Sequence, residues 1–462
     1  MAARGSSAAR REPQRRPESQ RRPAQTRRKP ASQAQAVRRP APPRPKQSVV
    51  IPFPAPAQRP RRRPLSREEA QRRRELKLRQ RALEEESREL ARGPIDLPFC
   101  LLVLLLMSIG LVMLLSASFP SAYYTTKKND PTYYFVRQGI FAIMGVAAML
   151  FIGKINYQRF RGVAKTLLYV SIFLLVLVII PHNPMAHTVK GAPRWLGVGD
   201  LFSFQPSEIA KMAIVIYFSD SISRKKDLMR SFRYGILPYA MILIVTAGLV
   251  AIEPHLSGAI LSLGVGAALM LVGGINWAWV IGALGGAAAM LYFALFVVGY
   301  NTSRIQYWLN PWADARNKGY QLSQSLITIG SGGLLGVGLG KSRQKFLFLP
   351  EEHNDFIFAI ICEELGLIGA SIIMLLFAAL ILRGYWIALH ARDRFGSLMV
   401  IGVTTLIAMQ TFLNIGVVTG LLPTTGISLP FFSYGGTALS IQLAEMGVVL
   451  SVSRQMRPTR AG

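Results

Sequence analysis

The stretch NPWADARNKGYQ, from Asn310 to Gln321, holds one acid, Asp314, with Arg316 and Lys318 close behind it. A carboxylate can take a proton from a reacting group when it works near the operating pH. Cations two and four residues away favour its charged form and weaken it as a base. Either the loop is a solvated connection, or Arg316 and Lys318 are turned elsewhere or engaged by an anion. Other groups that could do chemistry lie far off. Glu208 and Lys211, three apart, share one face of a helix. LPEEHNDFIF brings together Glu351, Glu352, His353 and Asp355, with no transition-metal spacing. GSGGLLGVGLGK looks like a phosphate cradle, but it has no preceding strand and no GxxxxGK[ST] spacing, so a P-loop is rejected. Its glycines serve tight turns or close helix packing. Cys100 and Cys362 sit in apolar runs and read as small buried hydrophobes.

The elements that must position these groups are set by composition. The 462-residue chain carries a formal charge of +30 and is also apolar, with a mean hydropathy of +0.30. The two properties separate along the sequence. Residues 1–95 hold 27 Lys/Arg against 9 Asp/Glu, a basic tail of disordered composition. From Ser66 it reads as a charged helix, with Ser66 and Glu69 as a capping box. That helix is either a solvated face or a dock for anionic lipid or a cytoplasmic partner. No recognition fold accompanies the charge, so nucleic acid is not expected. The first long apolar run opens near Asp96, too late for a cleaved leader.

Beyond the tail the spacing predicts an all-α polytopic membrane protein. About ten transmembrane helices are expected, each near the ~20 residues that cross a bilayer. They fall near 96–117, 134–153, 163–181, 205–221, 235–252, 256–274, 276–299, 355–382, 398–421 and 432–452, and the short GGIN turn leaves room for one re-entrant segment. A large extracellular loop, 300–354, separates spans 7 and 8, and a short C-terminus, 456–462, follows the domain at 96–455. Lys154, Arg159, Arg161, Lys165, Arg224, Lys225, Arg383, Arg394 and Arg454 fall on the same side as the tail if the spans alternate. Both termini are therefore expected in the cytoplasm. The long loop breaks this trend with Arg304, Arg316, Lys318, Lys341, Arg343 and Lys345, which an anionic ligand outside would explain. Glu208, Lys211, Glu363, Glu364 and Glu445 lie in or beside spans and must face a bundle interior or a wet cavity. A pair of Lys211 with Glu363 or Glu364 would offset both costs.

Four external motifs, in order, carry a resemblance: KGAPRWLGVGDLFSFQPSEIAKMA, EPHLSGA, NPWADARNKGYQ running on to LPEEHNDFIFAIICEELGLIG, and GLLPTTGISLPFFSYGG. Together they resemble the SEDS family of cell-wall glycosyltransferases, the FtsW, RodA and SpoVE type, over essentially all of 96–455. NPW before Asp314 is most like the division member. The resemblance implies polymerisation of lipid II by inverting glycosyl transfer, with release of undecaprenyl pyrophosphate. It places the family's catalytic aspartate on Asp314. It implies substrate contacts from Lys190, Arg194, Glu208, Lys211, Arg316, Lys318, Gln321 and His353. Lys190 and Arg194 would grip pyrophosphate or cap their own loop. It also implies a divalent cation, Mg²⁺ or Mn²⁺, with unassigned ligands. The implied partners are a class B penicillin-binding protein and other division proteins at the septum of the bacterial inner membrane. One motif departs from the family: Glu253 and Pro254 are followed by His255, where relatives usually carry Asp. His255 is then a structural substitute or a pH-sensitive contact. A lipid II flippase, a sporulation or elongation polymerase, and a scaffold are the competing functions. Motifs gathered on one side favour an enzyme over a transporter, and no internal repeat is seen.

Overall fold

The computed structural model describes residues 93–126, 129–180, 186–189, 192–198, 202–253, 255–282 and 302–456, with 78 and 285 as isolated positions. Apart from position 78, the predicted tail helix from Ser66 lies outside the described residues, as does the larger part of the predicted span 276–299.

Helix α1, Leu97–Thr125, starts where the Asp96 carboxylate accepts from the Phe99 amide at 3.0 Å. It is followed by α2, Tyr133–Lys154, and α3, Phe160–Ile179. A small antiparallel sheet then intervenes, β1 (Ala186–Val189), β2 (Ala192–Val198) and β3 (Phe202–Phe204), in the order β1-β2-β3. Leu196 of β2 faces Ala186 on one side and Phe204 on the other. The chain continues through α4 (Pro206–Lys225), α5 (Leu237–Ile252) and α6 (Leu256–Val272). The long loop holds two short helices, α7 (Thr302–Leu309) and α8 (Tyr320–Gly332), with a 3₁₀ turn at Pro311–Asp314 between them. Three long helices close the fold: α9 (Ile357–Leu389), α10 (Arg394–Val418) and α11 (Gly436–Ser453).

Seven described helices are long and apolar enough to cross a membrane: α1, α2, α3 with its leading turn, α5 with its leading turn, α9, α10 and α11. Two predicted spans fall short for different reasons. Helix α4 carries Glu208, Lys211, Asp220, Arg224 and Lys225 within 20 residues, and α6 has only 17 residues. The protein is a polytopic, mainly helical membrane protein. Helices α10 and α11 are buried on most sides. Helices α2 and α3 turn apolar side chains outward, with Ile143 and Tyr169 exposed, as lipid-facing helices do.

Hydrogen bonds tie one end of the bundle together. The Arg383 guanidinium reaches Asp96 at 2.6 Å, and the Asp96 amide donates to Ser453 at 3.2 Å. Arg161 bridges Asp393 at 2.8 Å and Asp220 at 3.4 Å, while the Tyr157 hydroxyl donates to Asp393 at 2.6 Å. The start of α1, the end of α4, both sides of the α9–α10 turn and the end of α11 therefore meet at this end. The opposite end holds the sheet, the long loop and the 421–435 segment.

Candidate active site

At the loop end a cavity of about 420 Å³ opens between α2, α4, α11, the sheet and the 426–437 segment. Its charged lining comes from Arg137, Arg194, Glu208, Lys211, Glu351 and Asp355. Lys211, almost wholly buried, donates to Glu208 at 2.8 Å. Two neighbours one helical turn apart thus neutralise each other on α4. This corrects the expected pairing of Lys211 with Glu363 or Glu364. Glu364 instead takes Lys345 at 3.0 Å, and Glu363 accepts from the Ser342 hydroxyl and, at 3.1 Å, from the Arg343 amide. The local partner won because α4 and α9 present their charges to different places.

Arg194 on β2 lines the cavity and also donates to the carbonyl of Glu253 at 3.1 Å. That carbonyl is at the C-terminal end of α5, where a cation is favoured. Capping and ligand-facing positions are thus combined in one side chain. The Glu253 carboxylate is buried with neither oxygen hydrogen-bonded. Burial pushes it up to about 8, against an opposing pull from Arg194. His255 meets the Gln205 amide at 3.2 Å and the Ser207 hydroxyl at 3.4 Å. Burial, helped by the charges of Lys211 and Arg194, pushes its imidazole down to about 4 despite Glu208. Both contacts are made by the same ring nitrogen, Nδ1.

Asp314 ends the 3₁₀ turn and is not among the groups lining the cavity. One carboxylate oxygen accepts from the Asn317 side chain at 3.0 Å and the other from the Lys318 amide at 3.4 Å. Among the described residues no ion pair joins Asp314 to Arg316 or Lys318. Both cations are exposed, and the Lys318 ammonium lies 5.9 Å from the Tyr307 ring. The loop is tied to the cavity end: the Trp308 indole donates to the Gly420 carbonyl at 2.8 Å, and the Ser325 hydroxyl to that of Val418 at 2.7 Å. Gln321 lies half-buried on α8. His353 stacks on Tyr134 at 4.8 Å and sits 3.3 Å from Glu352, beside but not in the cavity wall. Lys190 lies outside the described residues.

Sequence reading missed Arg137, Gln410 and Gln442 as cavity groups. Polar side chains interrupting apolar spans were the available signal. Among the described residues no group of three or more His, Cys, Asp or Glu side chains could hold a metal. No chemical step is assigned to a cation.

A family model described as cell cycle protein, of the FtsW, RodA and SpoVE type, matches residues 97–458. The chain belongs to this family. Within it, the probable peptidoglycan glycosyltransferase FtsW of Geobacter metallireducens is 40% identical over 364 residues, covering 79% of this chain and 96% of that protein. Stage V sporulation protein E of Bacillus subtilis is 43% identical over 364 residues, covering 78% and 98%. Two solved structures are similar to this chain over most of its length. One belongs to a peptidoglycan synthase complex described as coordinating polymerization and crosslinking, with 25% identity, a TM-score of 0.66 and coverage of 79% and 99%. The other is the rod shape determining protein RodA of Thermus thermophilus, with 26% identity, a TM-score of 0.59 and the same coverage.

Proposed function

We propose that this protein is a peptidoglycan glycosyltransferase that joins lipid II units into glycan strands by inverting transfer during septal wall synthesis. The carrying observation is Asp314: an accessible carboxylate, bonded only within its own turn, at the end of the bundle that opens a polar cavity. In this reading Asp314 takes the proton of an acceptor sugar hydroxyl as its oxygen bonds to the donor's anomeric carbon. The bond from that carbon to pyrophosphate breaks, and the electron pair leaves on the phosphate oxygen. Stabilising that charge removes the need for a strong acid. Arg194 from the cavity wall and Arg316 and Lys318 beside Asp314 are the proposed phosphate contacts. Lys190, Glu208, Lys211, Gln321 and His353 are proposed to shape or contact the rest of the substrate.

A separate proposal is a divalent cation, Mg²⁺ or Mn²⁺, checked by chelation and readdition with no residues assigned to it. A class B penicillin-binding protein and other division proteins are the proposed partners. The proposed location is the septal inner membrane with both termini cytoplasmic. Purified protein given labelled lipid II is expected to form glycan chains, and Asp314→Asn to abolish them. Movement of lipid II across liposomes without chain formation would replace the enzyme by a transporter.

A further inference from the structure

A second buried ion pair has no part in the cavity. The side chains of Lys345 and Glu364 are 4% and 0% exposed and meet at 3.0 Å. Each ammonium proton has an acceptor: Glu364, the Gly340 carbonyl at 2.7 Å and the Ser116 hydroxyl of α1 at 3.0 Å. Glu364 also accepts from Ser116 at 2.7 Å and from the Ser342 amide at 3.3 Å. The segment it anchors is held besides by Glu363, through the Ser342 hydroxyl and the Arg343 amide, and by the buried Leu349 that follows it. Phe346, Leu347 and Phe348 are all at least half exposed, and of residues 341–348 only Ser342 and Lys345 are buried. An apolar pair would hold such a segment with less desolvation, whereas an ion pair with every partner placed specifies one register.

That register reaches the proposed base. Three residues beyond Lys345, the Phe348 carbonyl accepts from the Tyr320 hydroxyl at 2.7 Å. Tyr320 opens α8, its amide donates to the Asn317 carbonyl at 3.2 Å, and the Asn317 side chain donates to Asp314. We infer that Lys345 and Glu364 form a positioning pair that sets the Asp314 carboxylate through the Phe348–Tyr320 hydrogen bond. The inference rests on the polymerase reading.

Three variants of the full-length protein test it. Lys345→Met/Glu364→Gln removes both charges and leaves none unpaired. Tyr320→Phe breaks the link without touching the pair. Lys345→Arg keeps the charge. The first two are expected to lower kcat with lipid II about ten- to a hundredfold, the scale of a small misplacement of a reacting group. Lipid II affinity and binding stoichiometry should stay within twofold, and Lys345→Arg should restore most of kcat. Hydrogen exchange at the amides of residues 316–320 should quicken in the double variant. A kcat within twofold of the parent, a stoichiometry that falls in step with kcat, or unchanged exchange at 316–320 would each overturn the pair's role. Chain formation by Asp314→Asn would instead overturn Asp314 as the base, and a parent protein that forms no chains would overturn the polymerase reading; hydrogen exchange reads the coupling without activity in either case.

Discussion

At the scale of single residues, two carboxylates near the loop end differ in their hydrogen bonding. Asp314 keeps hydrogen bonds from the Asn317 side chain and the Lys318 amide. Glu253 has none, and burial holds it up to about 8. The consequence for stability has a definite sign. Below the unfolded value near 4.5, both states of the chain carry this proton. Between there and about 8, the unfolded chain ionises while the folded one does not, so stability is lost as pH rises, at about 1.4 kcal/mol per pH unit at most. Above that window the loss is complete and constant. Glu253→Gln cannot ionise in either state. Its unfolding temperature in detergent, followed by intrinsic fluorescence, should match the parent near pH 4 and exceed it increasingly from pH 5 to pH 8. A constant difference across that range would show that Glu253 is charged in the folded protein.

Among the elements, the break in α9 depends most on its sequence. Gly366 takes φ 66° and ψ −171° inside the helix. The exposed carbonyls and amides there are met by the glycine-rich loop: Val337 donates to Glu363 at 3.0 Å, Gly338 to Glu364 at 3.0 Å, and Leu367 to Gly333 at 2.9 Å. Irregular backbone at membrane depth survives only when its polar groups are satisfied in this way. A Cβ on Gly366 would lie 2.3 Å from the Gly336 nitrogen, and one on Gly336 would lie 2.2 Å from the Glu364 carbonyl oxygen. Gly366→Ala should therefore lower stability by about 2 kcal/mol or more, combining the left-handed cost with the collision; a shift in the thermal midpoint in detergent checks it. The glycine run was legible as a packing device, because a P-loop reading failed on spacing, but its partner, the break in α9 at Gly366, was not. Apolar length located nine of the expected spans on described helices, α4 and α6 included. The sheet between α3 and α4 was missed, since three short strands rich in Gly, Pro and aromatics lack a clear alternation. The cavity was only half legible. Glu208 and Lys211 announce themselves by helical spacing, whereas Arg137, Gln410 and Gln442 come from three separate helices with no shared period. Burial alone says that Lys211 needs a partner without saying which.

For the whole molecule, the decisive question is which end faces out. The bonds among Asp96, Arg383, Ser453, Arg161, Asp220 and Asp393 gather one set of helix ends, and Asp314, the sheet and the cavity occupy the other. The cation-rich connections belong to the first set, and the proposed orientation, resting on the positive-inside trend, puts that set in the cytoplasm. Cysteine labelling can read this directly, because Cys100 and Cys362 are both buried and free and give little background. Arg343 is exposed on the long loop, with its backbone amide bonded to Glu363, and Arg224 is exposed at the end of α4. In spheroplasts, Arg343→Cys should react with a membrane-impermeant maleimide at once. Arg224→Cys should react only after the membrane is opened. The reverse pattern would put Asp314 in the cytosol, on the wrong side of the membrane for a glycan built outside it, and the proposed chemistry would have no acceptor to act on.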